Sequence, residues 1–281
     1  MNKQNTLFMI VIVSFLSLIG MTSFAEEAKD AKAENEQKSK WEFIVVPYLW
    51  MTGIDGDVTI KGRDADVDVS FDDILDNLDI AVLSNFIAKK GRWEFFVQPN
   101  YIKLSPEGDV DRRALTIDAD VETEMLILEF GTFYKLGTWG DRFPVSLNIL
   151  GGGRYWHFDN EIDLDTDISL SSIDKDIRRK RDVDADKDLI DPFVGLRVGT
   201  AITKKVRFDV RGDIGGFDIS SETSDLSWQA IGLIEYDLSK RIILGAGYRA
   251  LDIRYGTGSG DDKEGMDATI HGPILGVGIR F

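Results

Sequence analysis

"KKVRFDVRGDIGG", Lys204–Gly216, carries a charge at nearly every second position of a run that otherwise reads as a β-strand. Arg207, Asp209, Arg211 and Asp213 share one parity, and Val206, Phe208, Val210 and Ile214 share the other. Successive strand side chains point to opposite faces, so this segment has one charged and one apolar face. A soluble sheet with one wet face would look like this. So would a wall between hydrocarbon and a polar interior.

The last ten residues, "GPILGVGIRF", decide between them by the same test. Leu275, Val277, Ile279 and Phe281 lie on one face, and Ile274, Gly276, Gly278 and Arg280 on the other. A terminal aromatic preceded by alternating apolar residues resembles the membrane-assembly signal of outer-membrane barrels. Phe281, Ile279 and Val277 carry the likeness, which implies the barrel-assembly machinery as a partner through this strand. Other segments alternate too. Trp93, Phe95, Val97 and Tyr101 oppose Glu94, Phe96, Gln98 and Asn100; Leu126, Leu128, Phe130 and Tyr134 oppose Glu129 and Lys135. Val194, Leu196 and Val198 oppose Gly195, Arg197 and Gly199; Trp228, Ile234 and Tyr236 oppose Gln229 and Glu235. Trp41, Trp93 and Tyr236 lie near strand ends, where aromatic girdles sit at the lipid boundary.

An Arg or Lys facing hydrocarbon at the midplane costs about 2–4 kcal/mol, so the charged parity faces the lumen. The inward candidates are Arg154, Arg197, Arg207, Arg211, Arg249 and Arg280 against Glu42, Glu94, Glu129, Asp209, Asp213 and Glu235. The two sets balance, although the whole chain has a formal net charge of −16. Buried charge persists when paired and hydrogen-bonded, whereas water in a wide channel would solvate any surplus. The expectation is a lumen largely filled by an Arg–carboxylate network, with Gly195, Gly199, Gly245, Gly247, Gly276 and Gly278 leaving room for the long side chains. A porin-like passive or gated channel for small solutes is the alternative.

The N-terminus supports export. Residues 1–25, "MNKQNTLFMIVIVSFLSLIGMTSFA", pair one early cation with an apolar run from Leu7 to Ile19 and end on a small-x-small pattern at Ala25. This reads as a signal peptide cleaved near Ala25. Residues 26–40, "EEAKDAKAENEQKSK", read as a polar periplasmic tail, and residues 41–281 as the barrel. The acidity argues against nucleic acid, which is bound by clustered Lys and Arg. The absence of cysteine excludes disulfides, thiolate metal sites and thiol nucleophiles within this chain. No cofactor is indicated.

From Trp41 onward, period-2 segments separated by turn residues predict about ten strands, near 41–60, 79–89, 92–105, 114–136, 143–162, 187–201, 205–219, 226–238, 241–256 and 266–281. Short connections (Lys90-Gly91, Gly137–Arg142, Thr203-Lys204, Ser239-Lys240) alternate with long ones near 61–78, 106–113, 163–186, 220–225 and 257–265. That asymmetry belongs to an antiparallel up-and-down transmembrane β-barrel with tight periplasmic turns and longer extracellular loops. The first long loop holds a short helix in "SFDDILDNLD", Ser70–Asp79, with Ser70 and Asp73 as a capping box. It reads as a lid on the barrel mouth or as a ligand gate. Pro47 and Pro99 fall mid-strand and call for bulges or strand ends. The alternation also slips phase near Glu124, which suggests a bulge there.

Acidic alternations mark the extracellular ends: Asp64, Asp66 and Asp68; Asp118, Asp120 and Glu122; Asp163, Asp165 and Asp167; Asp182, Asp184, Asp186 and Asp188. They read as a solvated rim that limits edge pairing, or as binding positions for divalent cations. "RRKR", Arg178–Arg181, could meet lipopolysaccharide phosphates or neighbouring Asp residues. Of the two histidines, His157 lies beside Asp159 in "WHFDNE", but the paired acidic motifs of the outer-membrane aspartyl proteases are absent. His271 has no motif. No enzyme is expected; a rim-sited activity ranks third.

Several stretches together, "VPYLWMTGIDGDV", "DVDVSFDDILDNLD", "GGGRYW", "DPFVGLRVG", "RGDIGGFDI", "SWQAIG" and "GYRALDIRYG", resemble a large family of uncharacterised bacterial outer-membrane barrels, grouped with the opacity-protein and outer-membrane-protein-A-like proteins. The likeness covers residues 41–281, with a longer charged insertion near 174–188 as a departure. It implies a Gram-negative outer membrane, with its lipid and lipopolysaccharide as surroundings, and brings no activity or catalytic residues. A structural or interaction role is the resulting expectation.

Overall fold

The computed structural model describes residues 40–60, 62–105, 107–112, 115–170, 175–260 and 263–281. The expected signal peptide, residues 1–25, and all but the last residue of the expected polar tail lie outside them. Among the described residues thirteen strands form one sheet: β1 (Glu42–Trp50), β2 (Gly53–Ile60), β3 (Arg63–Val69), β4 (Leu78–Lys90), β5 (Trp93–Leu104), β6 (Glu107–Arg112), β7 (Leu115–Trp139), β8 (Val145–Leu170), β9 (Lys175–Ala201), β10 (Val206–Gly216), β11 (Leu226–Asp237), β12 (Ile242–Thr257) and β13 (Glu264–Arg280). Ten of them close an antiparallel barrel in the order β1-β4-β5-β7-β8-β9-β10-β11-β12-β13, with β13 pairing back onto β1 from Ile44↔Arg280 to Trp50↔Ile274.

The wall is apolar outside. Phe95, Val97, Phe130, Ile149, Val194, Leu196, Val198, Val210, Leu244, Val277 and Ile279 are all large, hydrophobic and exposed. Each alternates with an inward neighbour, as the parity argument requires. Aromatic rings crowd the end that holds the short turns. Trp41 stacks on Phe43 with centroids 6.0 Å apart, Trp93 meets Tyr134 at 4.7 Å, and Lys90 lies over the Trp41 ring at 5.3 Å. One of these turns is the two-residue Gly91-Arg92, where Gly91 adopts φ 62°, a left-handed conformation that costs glycine little.

At the opposite end the strands continue as extensions, and here the expected boundaries change. The single strand expected over 41–60 is β1 plus β2, broken at Met51-Thr52, where the Met51 N–H donates to the Pro273 carbonyl. β1 leaves β4 after Pro47↔Ser84, and β2 continues along β13 while β3 folds back on β2. The connections expected at 61–78 and 106–113 therefore contain β3 and β6, and the one at 163–186 is a long β8–β9 hairpin. No bulge stands at Glu124, since β7 pairs without a break from Leu115 to Lys135 against β8; its register shift comes at Lys135/Gly137. The phase slip has another cause. Near Glu124 the outward parity turns polar, while Met125 and Ile127 join the interior. Pro99 falls where the β4–β5 ladder skips Gln98 and Pro99, so no β4 partner needs its missing N–H.

The expected helix is α1 (Phe71–Asp76). Ser70 Oγ accepts from the Asp73 N–H at 3.2 Å, and the Asp73 carboxylate accepts from the Ser70 N–H at 3.1 Å. It is shorter than expected because Leu78 already opens β4. Only Ile74 is buried, and Leu75 is exposed.

Candidate functional site

The interior of the barrel is built in layers. Its centre is Glu129 on β7, which faces three guanidiniums from three other strands. Its Oε1 accepts from Arg154 Nε of β8 at 3.1 Å and from Arg249 Nη2 of β12 at 2.6 Å; its Oε2 accepts from Arg211 Nη2 of β10 at 3.2 Å. Asp213, two residues beyond Arg211, accepts from Arg154 Nη2 and Arg211 Nε, both at 2.8 Å. Gln229 on β11 donates to both carboxylates, at 3.2 Å to Glu129 and 3.1 Å to Asp213, and its Oε1 accepts from Arg249 Nε at 2.6 Å. Glu129, Arg154 and Arg249 are 0% exposed, Arg211 and Asp213 7%. Charges so placed survive because nearly every donor and acceptor is used and the guanidinium fork offers several bonds at once.

Neutral polar groups complete the layer. Tyr48 of β1 accepts from Gln98 Nε2 at 2.6 Å and from Arg249 Nη1 at 3.4 Å, and donates to Asn100 Oδ1. Arg249 also lies over the Trp50 ring at 4.3 Å, and Arg211 over Phe96 at 5.1 Å. Gly195 opposes Asp213 in register, and a Cβ there would come within 2.6 Å of the Asp213 Cβ. The glycine is therefore required by the network's close packing.

The expected inward set separates into groups. Glu129, Arg154, Arg211, Asp213 and Arg249 form this centre. Toward the short turns, Arg197 grips Glu94 through two bonds, 2.7 and 3.0 Å, with Lys89 at 3.3 Å from the same carboxylate. At the turn-end mouth Arg207 bonds Glu235 at 3.1 Å and also Asp237; Arg280 bonds Glu42 at 2.8 Å. Asp209 faces inward without a hydrogen-bond donor among the described residues.

Sequence reasoning missed two parts. Above the network, away from the turns, lies an apolar core: Trp156, Phe158, Leu189, Leu251, Ile253 and Ile270 are buried together with Ile127 and Leu83. Trp156 and Phe158 share the parity of Arg154, and Leu251 and Ile253 that of Arg249, so the signal was present. Asp191 was also missed. It is fully buried, pairs in register with Arg154, and accepts from Trp156 Nε1 (2.9 Å), the Ser224 N–H (2.8 Å) and Ser224 Oγ (2.7 Å). It ties the 217–225 loop, where Phe217 and Asp218 have positive φ, to the wall.

Both histidines stand on the outer wall, alternating with buried neighbours. His157 Nδ1 lies 2.9 Å from Asp188 rather than Asp159, and Tyr155 donates to the same carboxylate at 2.6 Å. His271 lies between Tyr248 and Asp55, each at 2.6 Å. Asp64, Asp66 and Asp68 lie along β3, exposed, and Glu122 pairs with Lys103; of Asp118, Asp120, the sets at 163–167 and 182–184 and Arg178–Arg181 only the backbone, in β7, β8 and β9, is described. Among the described residues no group of His, Asp and Glu converges to hold a metal ion.

A closed antiparallel ten-stranded barrel with an apolar outer wall and a charged, packed interior defines the class: the fold is that of the bacterial outer-membrane β-barrels. No family model matches the sequence, and no curated protein matches it. Among solved structures the chain is similar to the outer-membrane protease OmpT of Escherichia coli, with a TM-score of 0.50 at 6% identity over 86% of this chain and 97% of that one. Ail, the attachment invasion locus protein of Yersinia pestis, aligns at a TM-score of 0.32 and 11% identity, over 86% of this chain and 99% of that one. At such identities the likeness is one of fold alone.

Proposed function

We propose that this chain is an integral outer-membrane protein of a Gram-negative bacterium, of structural or interaction type, whose lumen is closed rather than conducting. Glu129 carries the reading. A carboxylate held dry by three guanidiniums, with an apolar core over it, leaves no room for the water column that a porin needs. The orientation follows from the turns: short turns and both ends of β1–β13 toward the periplasm, extensions outward. Export through a signal peptide cleaved near Ala25 and assembly through Phe281, Ile279 and Val277 belong to the same reading, as does kinship with the opacity-protein group. It assigns no catalytic step.

Lipid and lipopolysaccharide surround the belt. Outside it, Asp57 stands opposite both Asp267 and Asp66 across neighbouring strands, and only Asp267 has an arginine, Arg254 at 2.7 Å. Like charges directly opposite destabilise a sheet, so divalent cations act here by screening rather than as chelated ions.

Planar-bilayer recording of the purified, refolded full chain tests the closed lumen. The expected record is a quiet membrane with at most rare, small events. Steady openings of porin size overturn the reading and favour the channel.

A further inference from the structure

Below the central network the lumen is not filled. A cavity of about 430 Å³ reaches from the Gly91-Arg92 turn to a floor formed by Tyr48, Gln98 and Arg211. That size suits a small organic ligand, and the opening is at the turn end. Its deep walls are apolar: Phe96, Phe133, Ile231, Leu233 and Ile274.

The charges around it are unevenly matched. Lys89 and Arg197 share one carboxylate, Glu94. Arg92 and Lys135, joined at the rim by the bond from the Lys135 N–H to the Arg92 carbonyl, have no carboxylate partner among the described residues. Arg207 and Arg211 are satisfied by Glu235, Asp237, Glu129 and Asp213. Asp209 is the lining acid that lacks a hydrogen-bonded cation, so unmatched cations exceed unmatched carboxylates. In a chain this acidic, a concave lining of the opposite sign concentrates anions between low-dielectric walls.

We propose that this turn-side vestibule binds a small organic anion with an apolar body, its anionic end at Arg92 and Lys135 and its body on Phe96, Phe133 and Ile231. The proposal stands apart from the closed lumen: a blind pocket binds without conducting, and a conducting barrel keeps the same lining.

The test is calorimetric titration of the refolded full chain, in a zwitterionic detergent, with benzoate, neutral benzamide and benzylammonium. Saturable binding of benzoate, with weaker binding of the other two, is expected. The Arg92→Glu/Lys135→Glu variant should weaken benzoate by about tenfold or more, the fold-change carried by losing one hydrogen bond to a charged group. Ser146→Trp, which puts an indole into the cavity and leaves the rim cations, should weaken binding by a similar factor. Heat-modifiable migration on gels checks that both variants fold, and the conservative Arg92→Lys/Lys135→Arg variant, which keeps both charges, should retain binding. No saturable benzoate binding, equal binding of benzamide, or benzoate binding retained by folded Ser146→Trp would each overturn the proposal; the last places the anion on the rim instead.

Discussion

Replacing Glu129 by glutamine keeps the side chain's shape and removes the charge where three guanidiniums meet. In the native barrel its two oxygens accept four hydrogen bonds, from Arg154, Arg249, Arg211 and Gln229. A glutamine amide accepts on one atom and turns an NH₂ toward the donors facing the other. Either orientation loses two bonds, each to or from a charged or amide group in a dry site, and leaves three cations facing one carboxylate, Asp213, which of the three bonds only Arg154 and Arg211. A hydrogen bond to a charged group contributes about 1.5–3 kcal/mol, and removing one member of a buried ion pair costs about 3–5 kcal/mol. With about 4 kcal/mol as the central figure, the unfolding equilibrium moves by nearly three powers of ten. Urea titration in detergent or lipid, followed by tryptophan fluorescence, reads this as a lower midpoint at unchanged slope. Glu122→Gln is the matched control, because its bond to Lys103 lies among water-exposed groups, where pairs contribute little. A Glu129→Gln loss of less than about 1 kcal/mol, no larger than the control's, refutes the central role of the carboxylate.

Arg211→Ala should destabilise less than Glu129→Gln, because Arg211 borders the turn-side cavity and water entering there can solvate the carboxylates it leaves; the same urea titration measures it. Gly195→Val should fail to assemble, or assemble with a lower midpoint, since even its Cβ would meet Asp213; heat-modifiable gel migration reports this. Asp191→Ala should leave the wall intact and free the 217–225 loop, seen as faster protease cleavage within that segment. The hydrogen bonds from the Ser70 hydroxyl and N–H hold the Asp73 carboxyl below its ordinary pKa. Its stabilisation of α1 is therefore full above the usual aspartate range and lost as pH falls through the lowered value; amide exchange in 71–76 should accelerate there, and Ser70→Ala, which keeps only the backbone N–H bond, should reduce the dependence.

The barrel was legible because hydrocarbon imposes one parity over many strands. Phe281, Ile279 and Val277 fix the outward face of the last strand, and the same rule sorts Arg211 from Val210 and Glu129 from Phe130. The interior partners were legible only as a list. Parity puts Arg154 and Asp213 on the inward face, but tilt and stagger between strands decide that they meet, and these are not written in either segment. Neutral members such as Tyr48 and Gln229 carry no charge signal at all. Glu124 misled for a different reason: a phase slip suggests a bulge when the solvent outside is taken as constant, whereas here it changes from hydrocarbon to water along one unbroken strand.

That change of solvent also explains why the interior is layered. Along the belt the outside must be apolar, so hydrophobic burial cannot distinguish inside from outside; a network that demands specific partners does so instead, and Glu129, Arg154, Asp213 and Arg249 lie at that level. Above the belt, where Tyr155, His157 and Asp188 face outward, the ordinary driving force returns and Trp156, Phe158 and Leu251 fill the interior. Charge substitutions in the lower layer should therefore cost more than methyl deletions of similar burial beside them. In the upper layer, large-to-small changes such as Leu251→Ala should cost the about 2–5 kcal/mol typical of water-soluble cores. If Leu251→Ala proves neutral while Glu129→Gln does not, the upper cluster is packing without a hydrophobic contribution, and the layering argument fails.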